Sequence, residues 1–310
     1  MVGRCGVVAI PTSMDNPWFF KKTIFYFGLN YPSQVKETYM TQKNIDHNPM
    51  QRPLPTKAIR LFVTDLDGCM TVPFETPHWS DYTQIRALQL QSQDDPSIPP
   101  MSICTGRPMP YAEAQAQFLG IRLPFVFESG GGLYDLTNNT LSWNPIVTEA
   151  LKADIDAIRS WAHRDIFPNF PGALPEFAKF TDVGLIHRDS SVIDRIYALA
   201  TTEIAANFPL FEVHKTDVSV NIIVKEANKG RGLELLSETL DIPLDQIAYI
   251  GDSSGDIPGL ERVGMAFAPQ NAQPAVKEAS HLVTESNATA GVLEAYHWII
   301  QHNLRVWAWI

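Results

Sequence analysis

The pattern of apolar and polar positions changes abruptly near residue 58. The run 59–64 (Ile-Arg-Leu-Phe-Val-Thr) is short, mostly apolar and ends at Asp65-Leu66-Asp67-Gly68. That is the pattern of a strand buried on both faces. Residues 81–93 predict a helix, and 101–104 a second short strand that stops at Thr105-Gly106-Arg107-Pro108. The spacing predicts another helix over 111–119, with Gly120 placed as its C-cap. A third strand, 124–127, runs into Glu128-Ser129-Gly130-Gly131-Gly132. Strands alternating with helices predict an α/β fold with a Rossmann-like parallel sheet as its core. Ligands in such sheets sit beyond the carboxyl ends of the strands, where each of these polar breaks falls.

Between residues 134 and 220 the texture differs. Helical segments over 147–163 and 191–206 alternate with strand candidates at 177–187, 211–214 and 218–224. This stretch reads as an inserted α+β domain. The α/β pattern then resumes, with a helix over 230–240 and a strand over 246–250 that enters Gly251-Asp252-Ser253-Ser254-Gly255-Asp256. In 291–310 the apolar positions 292, 296, 299, 300, 304 and 307 share one helical face, so a docking helix is expected, with Trp307 and Trp309 as packing residues. The expected organisation is an extension over 1–56, a core domain from 57–133 and 221–310, and an insert over 134–220. Prolines at 11, 17, 32, 49, 53 and 55 break up the aromatic fragments of the extension. It reads as a loosely attached arm or as one that docks on a partner through its aromatics.

Composition narrows the function classes. Apolar residues make up 45% of the 310 and charged ones 19%, ample for a packed core. Acidic side chains outnumber basic ones 34 to 24, a net charge of -10. Proteins that bind duplexes usually carry the opposite excess, so no nucleic-acid partner is expected. Three scattered cysteines, Cys5, Cys69 and Cys104, form neither a disulfide framework nor a zinc site. No apolar run nears the ~20 residues of a membrane span, and the start carries no secretory pattern. A cytoplasmic chain, monomeric or homodimeric, is the expectation.

The chemistry lies in the polar breaks. Asp65 and Asp67, Thr105, Lys229, and Asp252 with Asp256 fall at predicted element boundaries. Carboxylates clustered at strand ends stay ionised only around a cation. Oxygen ligands without His or Cys point to Mg²⁺. Lys229 and the Thr105 hydroxyl would then face a phosphate, which makes a phosphoryl-transfer site.

The ordered set DLDG at 65–68, TGRP at 105–108, Lys229-Gly230 and GDSSGD at 251–256 resembles the haloacid dehalogenase-like hydrolase superfamily. The large insert is similar to the cap of its C2 subgroup (subfamily IIB), which contains sugar-phosphate and phosphoglycolate phosphatases. The resemblance spans about residues 58–302. It implies a Mg²⁺-dependent phosphatase for a small phosphomonoester, working through an aspartyl-phosphate. Asp65 would be the nucleophile and Asp67 the general acid and base, its backbone carbonyl also a metal ligand. Thr105 and Lys229 would bind the phosphoryl group. Asp65, Asp67, Asp252 and Asp256 would form the metal site, Asp256 through water or Lys229. Gly106 and Arg107 would meet the substrate, Arg107 alternatively forming a structural salt bridge.

Three departures stand out. Cys69 replaces the usual Thr or Val; packing or a reactive thiol are the two readings. Ser129 stands where Asn is common, and Gly255 likewise. The insert should read the leaving group, and with eight basic and thirteen acidic residues over 134–228 it does not suit a polyanion. Lys179 shares strand parity with His187 and is the candidate substrate contact there. Competing functions are a phosphomutase of the same superfamily and a non-catalytic binding protein.

Overall fold

The computed structural model describes residues 53–308. In chain order its elements are β1 (Leu61–Thr64), α1 (Trp79–Gln91), β2 (Met101–Ile103), α2 (Met109–Leu119), β3 (Phe125–Phe127), β4 (Gly132–Asp135) and β5 (Thr140–Trp143). Next come α3 (Glu149–Trp161), β6 (Leu174–Pro175), β7 (Val183–Ile186), α4 (Ser190–Asn207), β8 (Phe211–Lys215) and β9 (Ser219–Val224). The chain continues through α5 (Lys229–Leu240), β10 (Ile247–Ile250), α6 (Ile257–Leu260), β11 (Met265–Ala268), α7 (Pro274–Ala279), β12 (Leu282–Val283) and α8 (Ala288–Ala308).

Five strands form a parallel sheet in the order β12-β11-β10-β1-β2. The apolar run of β1 has a direct cause, because the strand is covered on both sides. Leu61 and Val63 join Leu233, Leu236 and Val263 on one face. Phe62 joins Ile85, Met101 and Tyr296 on the other. Each fully buried side chain of this kind contributes roughly 1.5–3 kcal/mol before entropy is charged. Gly120 ends α2 at φ 75°, as expected of a left-handed C-cap.

The third predicted strand takes a different place. β3 meets the parallel sheet at a single bridge, Cys104 with Val126, and otherwise pairs antiparallel with β4 in a three-stranded β3-β4-β5 sheet. Glu128, Ser129 and Gly130 all take positive φ, 48°, 56° and 108°, so the chain reverses after three strand residues.

The insert forms a four-stranded antiparallel sheet, β6-β7-β9-β8. Ile155 and Ile158 of α3 and Ile193 and Ile196 of α4 cover it, packing on Leu185, Val220 and Ile222. The strand expected over 177–187 shortens to Val183–Ile186. Its first half cannot pair in a sheet because its backbone is otherwise engaged. The Lys179 carbonyl accepts from Arg159 at 2.7 Å, and the Phe180 and Thr181 amides donate to Glu128 at 2.9 and 2.6 Å.

The last helix, α8, buries Val292, Tyr296 and Ile299. Its apolar face covers the core only in part: Leu304 is 46% exposed and Trp307 38%. Asn303 ties α8 to the segment just before β1, its side chain accepting from Ile59 N at 2.7 Å and donating to Ile59 O at 2.9 Å. Trp309 and all but residues 53–56 of the expected extension lie outside the described residues. Among the described residues no helix is long and apolar enough to cross a membrane.

Candidate active site

β1 lies between β10 and β2, so three adjacent strand ends release Asp65, Asp252 and Thr105 on one side of the sheet. The Asp65 amide donates to Ile250 O at 3.0 Å, which seats the residue directly beyond β1. Two residues on, the chain turns at Gly68, whose φ is 79°. A Cβ there would fall inside the Asp252 carboxylate, so both backbone and space demand glycine. Thr105 is buried, and its hydroxyl accepts the Arg107 amide at 3.1 Å.

Lys229 is not at a strand end but is the first residue of α5, whose N-cap Asn228 accepts from Arg231 N at 3.1 Å. Its Nζ stands 2.9 Å from Asp65 Oδ1 and 2.5 Å from Asp256 Oδ1. Asp256 is fully buried and also accepts from Tyr249 OH at 2.5 Å, Ser253 N at 2.9 Å, Ser253 Oγ at 3.0 Å and Asp252 N at 3.1 Å. Five donors occupy its two oxygens. Asp256 therefore anchors Lys229 and the 252–256 loop, and Gly255 beside it lines the cleft.

Oxygens of Asp65, Asp252 and Asp256 lie within 4.8 Å of one another. One lysine cannot neutralise three such closely grouped carboxylates, of which Asp65 and Asp256 are buried. Burial, with Asp256 nearby, pushes the Asp65 carboxyl up to about 7 even though Lys229 pulls it down. Burial and the same neighbours push Asp252 well above its usual range. Asp256 goes the other way: burial opposes ionisation, but Lys229, Tyr249 and Ser253 overcome it. Lys229 is held charged by Asp256 and Asp65 despite its own burial. An excess of negative charge at hard oxygen donors fits a small divalent cation, which would return Asp65 and Asp252 to the ionised form. Asp65 and Asp252 could each offer such a cation a carboxylate oxygen.

Asp67 and Arg107 form an ion pair, Nε to Oδ2 2.5 Å. The other side of the guanidinium reaches Glu176 Oε1 of the insert at 2.8 Å, and the group lies over the Tyr111 ring at 5.1 Å. Of the two roles open to Arg107, the structure shows the salt bridge. Gly106, Arg107 and Ser129 line the cleft, together with Asp65, Asp67, Thr105 and Lys229.

Lys179 is a correction. It does not line this cleft: its side chain is 2% exposed and pairs with Glu176 at 2.9 Å and Asp182 at 3.0 Å. It sits before β7 in the bent stretch, so the shared strand face with His187 does not exist. Burial and the nearby Asp252 and Asp65 push the Cys69 thiol well above its usual value, which removes the reactive-thiol reading.

The insert contributes Glu176, His214, Lys215, Ser219 and Asn221 to the cleft, none of them singled out from the sequence. A signal existed for two. In β9, Ser219 and Asn221 alternate with Val220, Ile222 and Val224, which lie in the core of the insert. The cleft is thus roofed by one layer and floored by the other.

Residues 175–295 match the family described as haloacid dehalogenase-like hydrolase. The chain is 25% identical over 246 residues to the phosphoglycolate phosphatase of Methanosarcina acetivorans, covering 77% of this chain and 96% of that one. Over residues 175–295 the chain is similar to the haloacid dehalogenase-like hydrolases. A phosphoglycolate phosphatase of Halorubrum lacusprofundi is 28% identical over 239 residues, 74% of this chain and 93% of the relative. The fold of the chain is similar to that of the sucrose-phosphatase of Synechocystis, solved with sucrose and phosphate. That match has a TM-score of 0.57 at 18% identity, and covers 78% of this chain and 98% of the other.

Proposed function

We propose that the chain is a Mg²⁺-dependent phosphatase that hydrolyses a small phosphomonoester, of sugar-phosphate or phosphoglycolate type, through an aspartyl-phosphate on Asp65. The observation that carries this reading is the seat of Asp65. It lies at the end of β1, an interior strand of the parallel sheet, 2.9 Å from Lys229, in one cleft with Asp67 and Thr105. A carboxylate so placed can attack phosphorus while a fixed lysine and hydroxyl balance the phosphoryl charge. The names of the relatives, phosphoglycolate phosphatases and a sucrose-phosphatase, support the same substrate class.

An Asp65 oxygen forms the bond to phosphorus as the ester bond breaks, and Asp67 gives its proton to the departing alcohol. In the second half, water attacks the phosphorus of the acyl phosphate. Asp67 takes a proton from that water, and the P–O bond to Asp65 breaks to release phosphate. Lys229 holds its charge throughout, anchored by Asp256. The metal ion, when bound, supplies further positive charge to the phosphoryl oxygens. Residues of the insert close over the leaving group and exclude water.

The test is phosphate release across a panel of phosphomonoesters with Mg²⁺, run beside Asp65→Asn. Turnover by the wild type and background by the variant is expected. Equal release by both would overturn the assignment.

A further inference from the structure

Two carboxylates cross between the layers, one in each direction. Glu128 of the core, buried at the end of β3, accepts from Phe180 N at 2.9 Å and from Thr181 N and Oγ1, both at 2.6 Å. This pins the segment 176–182 of the insert onto the core. Glu176, at the start of that segment, returns the contact: Oε1 accepts from Arg107 Nη1 at 2.8 Å. Its second oxygen is taken by Lys179 at 2.9 Å, and Lys179 is itself braced by Asp182 and by Asn221 Oδ1 at 3.1 Å. Glu176 therefore has one carboxylate oxygen fixed from behind and the other aimed at Arg107.

Arg107 in turn is the close partner of Asp67, at 2.5 Å; among the described residues the other side-chain hydrogen bond at that carboxylate is from Thr71 Oγ1 at 3.4 Å, a long one. A carboxyl group that must hand a proton to one oxygen and then take one from another depends on its rotamer being held. Without Glu176 the guanidinium keeps its stack on Tyr111 but loses the anchor that sets its reach toward Asp67.

We propose that Glu176 is a positioning residue for the acid–base step, holding Asp67 in place through Arg107, so that the insert takes part in proton transfer as well as in substrate enclosure. This rests on the reading of Asp67 as the general acid and base. It also explains why a buried, fully paired lysine stands in the insert: Lys179 braces Glu176 from behind rather than touching substrate. The leaving group separates this role from a general loosening of the fold. An alkyl phosphate needs its departing oxygen protonated, whereas p-nitrophenolate leaves with little help.

The experiment measures kcat and KM for Glu176→Gln and Glu176→Asp on p-nitrophenyl phosphate and on an alkyl phosphate that the wild type turns over. The shorter carboxylate of Glu176→Asp retains the charge beside Lys179 but cannot span to both partners, so it serves where Gln is poorly tolerated. The alkyl kcat should fall by roughly 10²-fold, the aryl kcat by only a few-fold, with KM for both little changed. An equal fall on both substrates, or no fall on either, overturns the inference and leaves the phosphatase reading standing. Absence of wild-type turnover on both overturns the phosphatase reading itself, and the inference with it.

Discussion

Asp182→Asn should stabilise the protein above neutral pH and have almost no effect near pH 4. Asp182 is almost wholly buried, and burial pushes its carboxyl from 3.8 up to about 7 although Lys179 opposes the rise; Glu128 and Glu176 add to it. The native state thus holds a proton that the unfolded chain has already released between those values. Stability from this group is complete below about pH 4 and is lost as pH rises through 7. At about 1.4 kcal/mol per pH unit the loss is roughly 4 kcal/mol by pH 8. Asparagine resembles the protonated acid and does not titrate, so the variant escapes the loss. For a chain of this size the gain corresponds to roughly 10 °C in Tm at pH 8. Asp65 and Asp252 also titrate abnormally, but they are present in both proteins and cancel in the difference. The assay is thermal and urea denaturation of both proteins in metal-free buffer from pH 4.5 to 8.5. A wild-type minus variant difference that stays flat, or that favours the wild type as pH rises, would refute the argument from burial.

Four further outcomes follow from the site and the insert that covers it. Lys179→Met removes the cation from Asp182 and one of the two from Glu176, which keeps Arg107, and urea unfolding should show a loss of roughly 3–5 kcal/mol at neutral pH. Mg²⁺ alone, without substrate, should raise the wild-type Tm, by the equivalent of ~2.7 kcal/mol at a hundred times its Kd, and should not do so for Asp252→Asn; excess chelator should abolish turnover and Mg²⁺ restore it. Asp65→Asn should reduce kcat to background on every phosphate ester. Asp67→Asn should cost roughly 10²–10⁴-fold on alkyl phosphates and visibly less on p-nitrophenyl phosphate, as compared in steady-state assays.

Local chemistry was legible along the chain because it is written in short stretches. The run 59–64 announces a strand covered on both faces, and Asp65-Leu66-Asp67-Gly68 announces where it ends. Gly120 marks the end of a helix for a steric reason that holds in any context. The alternation in 218–224 contained the polar face of β9, with Ser219 and Asn221 on one side and the buried Val220 and Ile222 on the other. It could not say that this face looks into the cleft, since a strand's two sides differ only by what is packed against them. The destination of Lys179 was hidden for the same reason. Its stretch carries a passable strand pattern, and only the core carboxylate of Glu128 and the guanidinium of Arg159, distant in sequence, pull the backbone of 179–182 out of the sheet. Placing Lys229 against Asp65 likewise needs β9 to return the chain from the insert so that α5 begins beside β1. Strand order and side-chain pairing over such separations are set by long-range packing, which leaves no mark in the local periodicity that a sequence displays.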